Sequence, residues 1–276
     1  ILPVVLAGYV SFYHWDGGGD LGKFIGFENY SNVLKDSVFI SSMKNNAFIV
    51  VMSLLIQGPL ALGVALLMNR KLRFRAAFRT MIFVPYVVAE VIAGAMWRLI
   101  LDQRGVLNTA LLQLGVFDKP ADAIGWLSDQ KLVMWTMMFV LTWKYVGLAI
   151  ILFLAGLQGV PDEVLEAAAI DGASWWQVQR RITIPLLGPT IRVWMFLSII
   201  GSIQLFDMAR LLTNNGAPFD SAYTMAMFVI DRAVRMRQYG YATAAAIVLF
   251  VISLTAALLF MRFVMRRDNE GEGGVA

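Results

Sequence analysis

Apolar residues are gathered in long blocks along this 276-residue chain, with shorter polar stretches between them. A block of about 20 apolar residues can cross the hydrocarbon core of a membrane as a single helix. Blocks of about that length predict membrane-spanning helices near 46–69, 80–101, 131–156, 190–212 and 241–264. The pattern is therefore typical of a polytopic membrane protein.

A shorter apolar block opens the chain at 1–13. Because the chain starts at Ile1 without a methionine, we expect a sixth helix of which part is missing, together with its cytosolic leader. A cleaved signal peptide is the competing interpretation, but this block has no basic start and no clear small-residue cleavage site. The sequence thus predicts an all-α fold with six transmembrane helices, the first one truncated, in a single domain covering 1–276.

The amino-acid composition is typical of a protein that is surrounded mainly by lipid. The chain is 59% hydrophobic and 15% charged, and its mean hydropathy is +0.67, whereas soluble domains usually carry about 25% charged residues. The net charge of +4 is accounted for by basic loops, so nucleic-acid binding is not needed to explain it. The absence of cysteine excludes disulfides and thiolate metal sites.

Basic residues in short loops predict the orientation in the membrane. They are concentrated after the second helix and after the last one, at Arg70, Lys71, Arg73, Arg75, Arg79, Arg266 and Arg267. We therefore expect both termini and the loops 70–79 and 157–189 to be cytosolic. The segment 213–240 fits less well, because Arg232, Arg235 and Arg237 would lie outside.

The predicted cytosolic loop at 157–189 reads as structured. Pro161 suits the first position of a helix, and the acidic residues that follow it favour a helix N-terminus. Gly172 then interrupts the helical pattern, and Ser174 with Gln177 forms a plausible capping box for a second short helix. From the physics alone, two interpretations stay open: a surface on which another protein docks, or an amphipathic helix seated among lipid headgroups.

The same loop resembles the EAA signature of ABC importer permeases. It contains Glu166-Ala167-Ala168, three residues, Gly172, nine residues, Ile182, one residue, and then Ile184-Pro185. The signature usually has leucine where Ile184 stands, and this swap conserves volume. The rest of the chain is similar to the carbohydrate-uptake branch of that family over essentially its whole length, although Ala217 departs from the usual Gly-Gly-Pro near 216–218.

The resemblance implies a subunit without catalytic activity of its own. In that family the loop forms a coupling helix that docks on an ATP-binding subunit; here its residues are Glu166, Ala167, Ala168, Asp171, Gly172 and Ala173. The implied partners are a second, homologous permease, two ATP-binding subunits that hold ATP and Mg²⁺, an extracytoplasmic substrate-binding protein and membrane lipid. The implied location is the bacterial cytoplasmic (inner) membrane, and the implied substrate is a sugar or oligosaccharide.

Ionisable and polar residues inside spanning segments are candidates for the substrate path. The candidates are Ser202, Gln204, Asp207, Trp143, Lys144, Tyr145 and Glu90. Glu90 and Lys144 lie roughly 15 and 18 Å from the cytosolic ends of their helices, at about 1.5 Å per residue, so they could form a pair. Such a pair, like the polar residues near Asp207, could equally serve helix packing.

Two other classes of protein remain as alternatives. A gradient-driven secondary transporter leaves the EAA spacing unexplained, and a membrane-embedded enzyme lacks a catalytic motif. The stretch Gly17, four residues, Gly22-Lys23 imitates a phosphate-binding loop, but Phe24 stands where Ser or Thr is needed. Within the importer class, a phosphorylated polyol such as glycerol 3-phosphate is a second candidate substrate, since Lys144 could meet a phosphate.

Overall fold

The computed structural model describes residues 2–69, 75–214, 216–218 and 220–265. The α-helices are α1 (Leu2–Val10), α2 (Glu28–Lys35), α3 (Ser37–Met52), α4 (Gly58–Met68), α5 (Arg75–Val87), α6 (Glu90–Ile100), α7 (Val106–Gln113), α8 (Val133–Leu157), α9 (Asp162–Ile170), α10 (Trp175–Val178), α11 (Ile184–Leu186), α12 (Gly188–Ile203), α13 (Asp207–Leu212), α14 (Met225–Ile230) and α15 (Tyr239–Phe260). Short π-helical turns lie at Ser53–Gln57, Gln179–Thr183, Asp231–Arg235 and Met261–Met265, and a 3₁₀ turn lies at Pro120–Asp122.

The all-α prediction needs one small correction. Strands β1 (Tyr13–His14) and β2 (Lys23–Phe24) pair antiparallel, with Tyr13 opposite Phe24. The chain can fold back between them because Gly17 and Gly19 adopt positive φ angles of 90° and 59°, which glycine does without steric cost. The described residues are otherwise mainly helical.

Three described helices are long and apolar enough to cross a membrane: Ser37–Met68, Val133–Leu157 and Tyr239–Met265. Two further pairs would each make one span if joined across a break, namely Ala76–Val87 with Glu90–Ile100 and Trp175–Leu186 with Gly188–Ile203. The described residues therefore hold three to five spans by length and composition. α1 is nine residues long, and the count of six remains a prediction. The basic residues at 70–73 and 266–267 lie outside the described residues, as does the side chain of Arg75.

Two segments predicted as single helices are broken. The segment near 80–101 divides into α5 and α6 after Val87; Pro85 lies in the last turn of α5, and Ala89, with an extended ψ of 140°, is the N-cap of α6. The segment near 190–212 divides into α12 and α13, which are separated at 204–206. In both places the backbone groups freed by the break are bound by side chains, as described below.

The chain divides into two compact units. The first unit comprises Ile1–Val51, Ala89–Leu141 and Ile200–Ala256, and the second comprises Met52–Val88, Thr142–Ile199 and Ala257–Ala276. The segment 213–240, which was predicted to lie outside, belongs to the first unit, as do the polar segments 14–45 and 102–130. The predicted cytosolic loop 157–189 belongs to the second.

Close helix contacts hold the first unit together. α6 packs on α13 at Gly94, where an added Cβ would lie 3.0 Å from the Cβ of Leu211. In the loop after α6, Asn108 donates to the carbonyl oxygen of Ile124 at 2.9 Å and accepts a bond from the Trp126 indole at 3.1 Å. A side chain that binds its neighbours in this way fixes the loop, so Asn108 has a structural role here.

The second unit contains an apolar core cluster. Its fully buried members are Ala61, Ala65, Met68, Ala149, Ile150, Phe153, Leu154, Leu157, Leu187 and Trp194. Small residues let the helices approach, as is common in membranes: a Cβ on Gly58 would lie 2.3 Å from the Trp194 ring, and one on Gly147 would lie 2.2 Å from the carbonyl oxygen of Ile82. The 157–189 loop continues directly from this core, because Leu157 at the end of α8 is one of its members.

Candidate coupling loop and substrate path

The EAA residues lie on α9. Asp162 and Glu163 occupy its first turn, where acidic side chains stabilise the N-terminal end of the helix dipole. Pro161 was predicted as the first helical residue but is the N-cap, with an extended ψ of 131°. The helix therefore starts one position later than predicted.

Gly172 ends α9 in a Schellman motif. Its φ is +73°, its N–H donates to the Ala169 carbonyl at 3.1 Å, and the Ala173 N–H donates to the Ala168 carbonyl at 3.0 Å. These two bonds satisfy carbonyls that the helix end would leave free. The motif's glycine is thus explained by the left-handed backbone that this turn requires.

The capping box predicted at Ser174 and Gln177 is confirmed. The Ser174 N–H donates to Oε1 of Gln177 at 2.7 Å, and the Gln177 N–H donates to Oγ of Ser174 at 3.4 Å. The turn between α9 and α10 is consequently fixed on both sides, by the Schellman motif before it and the capping box after it.

The loop is seated on the second unit by a few apolar side chains. Leu165 and Trp175 line a cavity of about 100 Å³ together with Leu66 and Leu157, at the ends of the spanning helices. The hydroxyl of Thr183 also borders this cavity and has no hydrogen-bond partner among the described residues. A cavity of that size beside a free hydroxyl has room for ordered water.

Most of the predicted coupling residues are solvent-exposed. Glu166, Ala167, Asp171 and Gly172 are exposed and Ala173 is half-buried, whereas Ala168 is only 7% exposed and is covered by the chain itself. Ile170 is 87% exposed at the end of α9 and was not among the predicted coupling residues. An isoleucine directly before the turn of this motif was the available signal.

Lys144 is buried on α8, and its ammonium group caps α5. It donates to the carbonyl oxygens of Pro85 at 3.1 Å and Tyr86 at 2.8 Å, and also to that of Val88. These oxygens belong to the last turn of α5 and the break after it, where a helix leaves carbonyls without partners. A cation at a helix C-terminus is also favoured by the dipole.

Glu90 stands on the other side of the same break, as the first residue of α6. An acidic side chain there stabilises the positive end of that helix dipole. The two ionisable residues therefore suit the two sides of the break: Lys144 binds the carbonyls at the end of α5, and Glu90 begins α6. A direct Glu90–Lys144 pair stays a prediction.

The aromatic neighbours of Lys144 lie near α5. The ring centroids of Tyr145 and Tyr86 are 6.3 Å apart, and the Lys144 ammonium lies 5.7 Å from the centroid of the Tyr86 ring. Trp143 and Tyr145 are half-buried.

The candidates near Asp207 lie at the second helix break. α12 ends at Ile203, Gln204 follows it, and Asp207 begins α13, so the prediction that Asp207 shares a helix with Ser202 was wrong. The break is stabilised from another helix: Nδ2 of Asn46 donates to the carbonyls of Ser202 at 2.7 Å and Ile203 at 3.3 Å. Gln204 and Asp207 are exposed, and Ser202 is half-buried.

Two further hydrogen bonds at this break involve the N-terminal end of α14. The Thr224 hydroxyl donates to the Leu205 carbonyl at 2.8 Å, and Oδ1 of Asn46 accepts from the Met225 N–H at 2.9 Å. We call Asn46, Thr224 and the backbone groups that they bind the polar junction. It holds a broken helix in place without exposing its backbone to lipid.

A second polar cluster, missed in the sequence, lies in the second unit. The Ser53 hydroxyl donates to Oε1 of Gln57 at 2.6 Å and lies 2.7 Å from the hydroxyl oxygen of Ser198. Ser53 and Gln57 are buried at the two ends of a π-helical turn, a feature that often marks functional sites.

Comparison with known families decides the class of the chain. The family model for the binding-protein-dependent transport system inner membrane component matches residues 57–268, which include the whole of the α9 loop. The chain belongs to this family. It is accordingly an inner-membrane permease component of an ABC importer.

Named relatives of this permease are similar over nearly its full length. The diacetylchitobiose uptake system permease protein NgcF of Streptomyces coelicolor is 32% identical over 99% of this chain and 79% of its own. The lactose transport system permease protein LacF of Rhizobium radiobacter is 32% identical over 98% of this chain and 89% of its own. A chain of a bacterial alginate ABC transporter, solved in complex with an alginate pentasaccharide-bound periplasmic protein, superposes with a TM-score of 0.79 at 26% identity, over 88% of this chain and 83% of its own.

Charges in the 213–240 segment of the permease are largely neutralised inside the first unit. Asp231 is buried and accepts a hydrogen bond from the Tyr223 hydroxyl, and it lies 3.9 Å from Arg210 and 3.5 Å from Arg235. Burial, followed by the bond to Asp231, raises the pKa of Tyr223 well above its usual value, so this tyrosine keeps its proton. Two of the arginines that fitted the predicted orientation poorly thus have acidic partners: Arg235 pairs with Asp231 and Arg232 with Asp36.

Proposed function

We propose that this permease is one of two membrane-spanning subunits of an importer that moves a sugar or oligosaccharide across the bacterial cytoplasmic membrane by ATP-driven alternating access. The substrate class is supported by the relatives, which are named for diacetylchitobiose and lactose, and by the alginate transporter of similar fold. The single observation that carries the mechanism is the α9 turn, which is rigid and yet exposed.

Rigidity at α9 suits a lever. The Schellman motif at Gly172 and the capping box at Ser174 fix both sides of the turn. Leu165 anchors α9 beside the ends of the spanning helices. A force applied to α9 would therefore be passed to those helices, because little of the loop can bend on its own.

Exposure at α9 suits a partner subunit. Glu166 and Asp171 offer carboxylates for polar contacts, and Ala167 and Gly172 allow a close backbone approach. Ile170 supplies the apolar anchor, since an exposed side chain of its size is costly in water and gains by burial. We assign ATP and Mg²⁺ to the partner subunits, and place α9 in the cytosol with both chain termini.

For the substrate path we retain the residues at the two helix breaks. Gln204 and Asp207 are exposed polar groups at the α12–α13 break, and Trp143 and Tyr145 offer aromatic faces. Aromatic rings beside hydrogen-bonding groups suit a sugar, which has an apolar C–H face and a hydroxylated rim. Lys144 supports the backbone at the first break, where Glu90 begins α6. At the second break, the Ser202 carbonyl is bound by Asn46. The ammonium group of Lys144 donates to three backbone carbonyls. Because its donors are already used, Lys144 does not favour a phosphate ligand.

Transport by purified protein tests this proposal. The permease would be co-expressed with the products of its neighbouring genes and reconstituted in proteoliposomes with the binding protein outside. Uptake of labelled diacetylchitobiose, lactose and alginate pentasaccharide would be measured, with glycerol 3-phosphate as the fourth solute. We expect uptake of at least one saccharide that requires ATP inside the vesicles and is insensitive to ionophores.

Two results would contradict the proposal. Uptake driven by an ion gradient without ATP would make the protein a secondary transporter. Uptake of glycerol 3-phosphate with none of the saccharides would replace the substrate class while keeping the importer mechanism.

A further inference from the structure

A cavity of about 330 Å³ lies in the first unit, away from the breaks already described. Its walls come from the segment after α1, from α2, and from the turn that leads into α15. Small-molecule sites typically measure about 300–1,000 Å³, so its size is at the lower end of that range. The lining residues used below are Trp15, Asp16, Asn32, Arg237, Gln238 and Tyr241.

The walls of this cavity are fixed by internal bonds. The Gly240 N–H donates to the Trp15 carbonyl at 3.0 Å. Glycine is required there, since a Cβ on Gly240 would lie 1.9 Å from the carbonyl oxygen of Tyr13. On the opposite side, Asn29 donates to the Ser11 carbonyl at 2.8 Å and to that of Tyr13 at 3.1 Å. The cavity is thus formed before any ligand arrives.

Arg237 stands at the rim in a conformation that does not suit an arginine. Its φ is +54°, a left-handed backbone that glycine or asparagine adopts far more readily. The turn is closed around it by the Met236 N–H on the Asp231 carbonyl at 3.1 Å and the Gln238 N–H on the Arg232 carbonyl at 2.9 Å. Folding alone would favour glycine here, so the arginine side chain calls for another explanation.

The Arg237 side chain is not explained by an ion pair within the described part of the first unit. Arg232 lies 2.8 Å from Asp36, and Arg210 and Arg235 share Asp231. Among the described residues, Arg237 has no ion pair, and the side chains of Asn32 and Gln238 form no hydrogen bond. The cavity therefore presents free donors and acceptors from three side chains on two different wall segments.

The chemistry of the lining fits one sugar ring. Arg237, Asn32 and Gln238 supply N–H donors, and the Asp16 carboxylate and the amide oxygens supply acceptors, which matches hydroxyl groups that both donate and accept. Trp15 and Tyr241 add aromatic surface for the C–H face of the ring. The Asp16 carboxylate would repel an anionic side chain of a partner protein, whereas a sugar hydroxyl can donate to Asp16 and accept from Arg237.

We propose that this cavity, with Arg237 at its rim, binds one sugar ring of the incoming oligosaccharide at the Tyr239 end of α15. This inference rests on the proposed function and adds a second contact point for the substrate, separate from the helix breaks. A hydroxyl or carboxylate of the sugar would take the guanidinium of Arg237 in a charge-assisted hydrogen bond.

Two arginine variants provide a matched test. Arg237→Gly removes the rim cation and relaxes the turn, so we expect unchanged or higher thermal stability. Arg235→Ala removes a cation two residues away that pairs with Asp231 and does not line the cavity. Both would be studied in the purified complex with its partner subunits but without the binding protein.

Saturation-transfer NMR would report binding of the three saccharides used in the uptake experiment. We expect the unaltered complex to bind at least one of them, Arg237→Gly to raise its Kd at least tenfold, and Arg235→Ala to leave the Kd within twofold. No binding to the unaltered complex, or equal binding to Arg237→Gly, would overturn the cavity assignment.

The outcomes separate this inference from the proposed function. ATP-dependent saccharide uptake by the unaltered protein, together with a failed binding test, would leave the importer in place and remove the cavity site. Arg237→Gly could instead keep its sugar binding and lose the stimulation of ATP hydrolysis by the loaded binding protein. That result would identify the cavity as a protein docking point.

Discussion

The α9 turn and the polar junction differ in the exposure of their polar side chains, which are buried and hydrogen-bonded at the junction and exposed at the turn. At the junction, Asn46 is 1% exposed and binds two carbonyls and one N–H of its own chain. At the turn, Glu166 and Asp171 are exposed, and Ile170 lies 87% in solvent.

This difference separates residues that serve the fold from residues that are available to a partner. A buried polar side chain that is fully bonded stabilises its own chain, because leaving its partners unsatisfied is costly. An exposed residue on a rigid turn contributes little to folding. Mutations should therefore lower the free energy of unfolding at the junction and affect assembly at the turn.

The largest loss of stability is expected at Asn46. Asn46→Ala leaves the carbonyls of Ser202 and Ile203 and the N–H of Met225 without partners, at about 1–3 kcal/mol for each group. We expect the free energy of unfolding to fall by about 3–6 kcal/mol, measured by unfolding of the purified permease in detergent.

Asn45 provides the matched control for that variant. Its side chain donates to the Tyr223 carbonyl at 2.9 Å and more weakly to that of Asp220 at 3.4 Å. Asn45→Ala should cost about 1 kcal/mol. Equal losses for the two variants would show that the junction is not a special support for the break.

A smaller loss is expected at Lys144, and it distinguishes support from substrate contact. Lys144→Met removes the donor to three carbonyls but also relieves the cost of a buried ammonium, and these effects partly cancel. We expect a net loss of about 2 kcal/mol in the same unfolding measurement. Unchanged stability with abolished saccharide uptake would instead assign Lys144 to the substrate.

The smallest loss of stability is expected at the turn itself. Gly172→Ala has open space around its new Cβ but a φ of +73°, so it should cost about 1 kcal/mol from the backbone alone. Gly159→Ala in the same loop is the control; its Cβ would meet only the Gly156 carbonyl oxygen, at 3.4 Å. Equal unfolding free energies for the two variants would show that the left-handed backbone at position 172 does not require glycine.

Local features of this chain were predictable from its sequence. The span near 131–156 corresponds to Val133–Leu157, and the Ser174–Gln177 capping box formed as expected. In each case the signal lies within a few neighbouring residues: an unbroken apolar block, or two side chains three positions apart. Such patterns depend on helix geometry alone.

The helix breaks were not predictable in the same way. Pro85 hinted at the first one, but the carbonyls left free where α5 ends are bound by Lys144, 56 to 59 residues further along the chain. The second break depends on Asn46, which is 156 residues from Ser202. Glu90, Lys144 and Asp207 could be recognised as unusual, but the carbonyls that Lys144 binds are set by tertiary packing.

The most direct test of the account is whether Ile170 holds the ATP-binding subunit. Ile170→Asp would be compared with Leu114→Asp, which alters an equally exposed apolar residue of the first unit, 78% in solvent. Both tagged variants would be purified with co-expressed partners, and the amount of ATP-binding subunit would be measured. We predict that Ile170→Asp keeps its fold and loses at least nine-tenths of that subunit, on the order of 1.4 kcal/mol or more of binding, while Leu114→Asp retains it. Full retention by Ile170→Asp would contradict the assignment of α9 as the coupling helix.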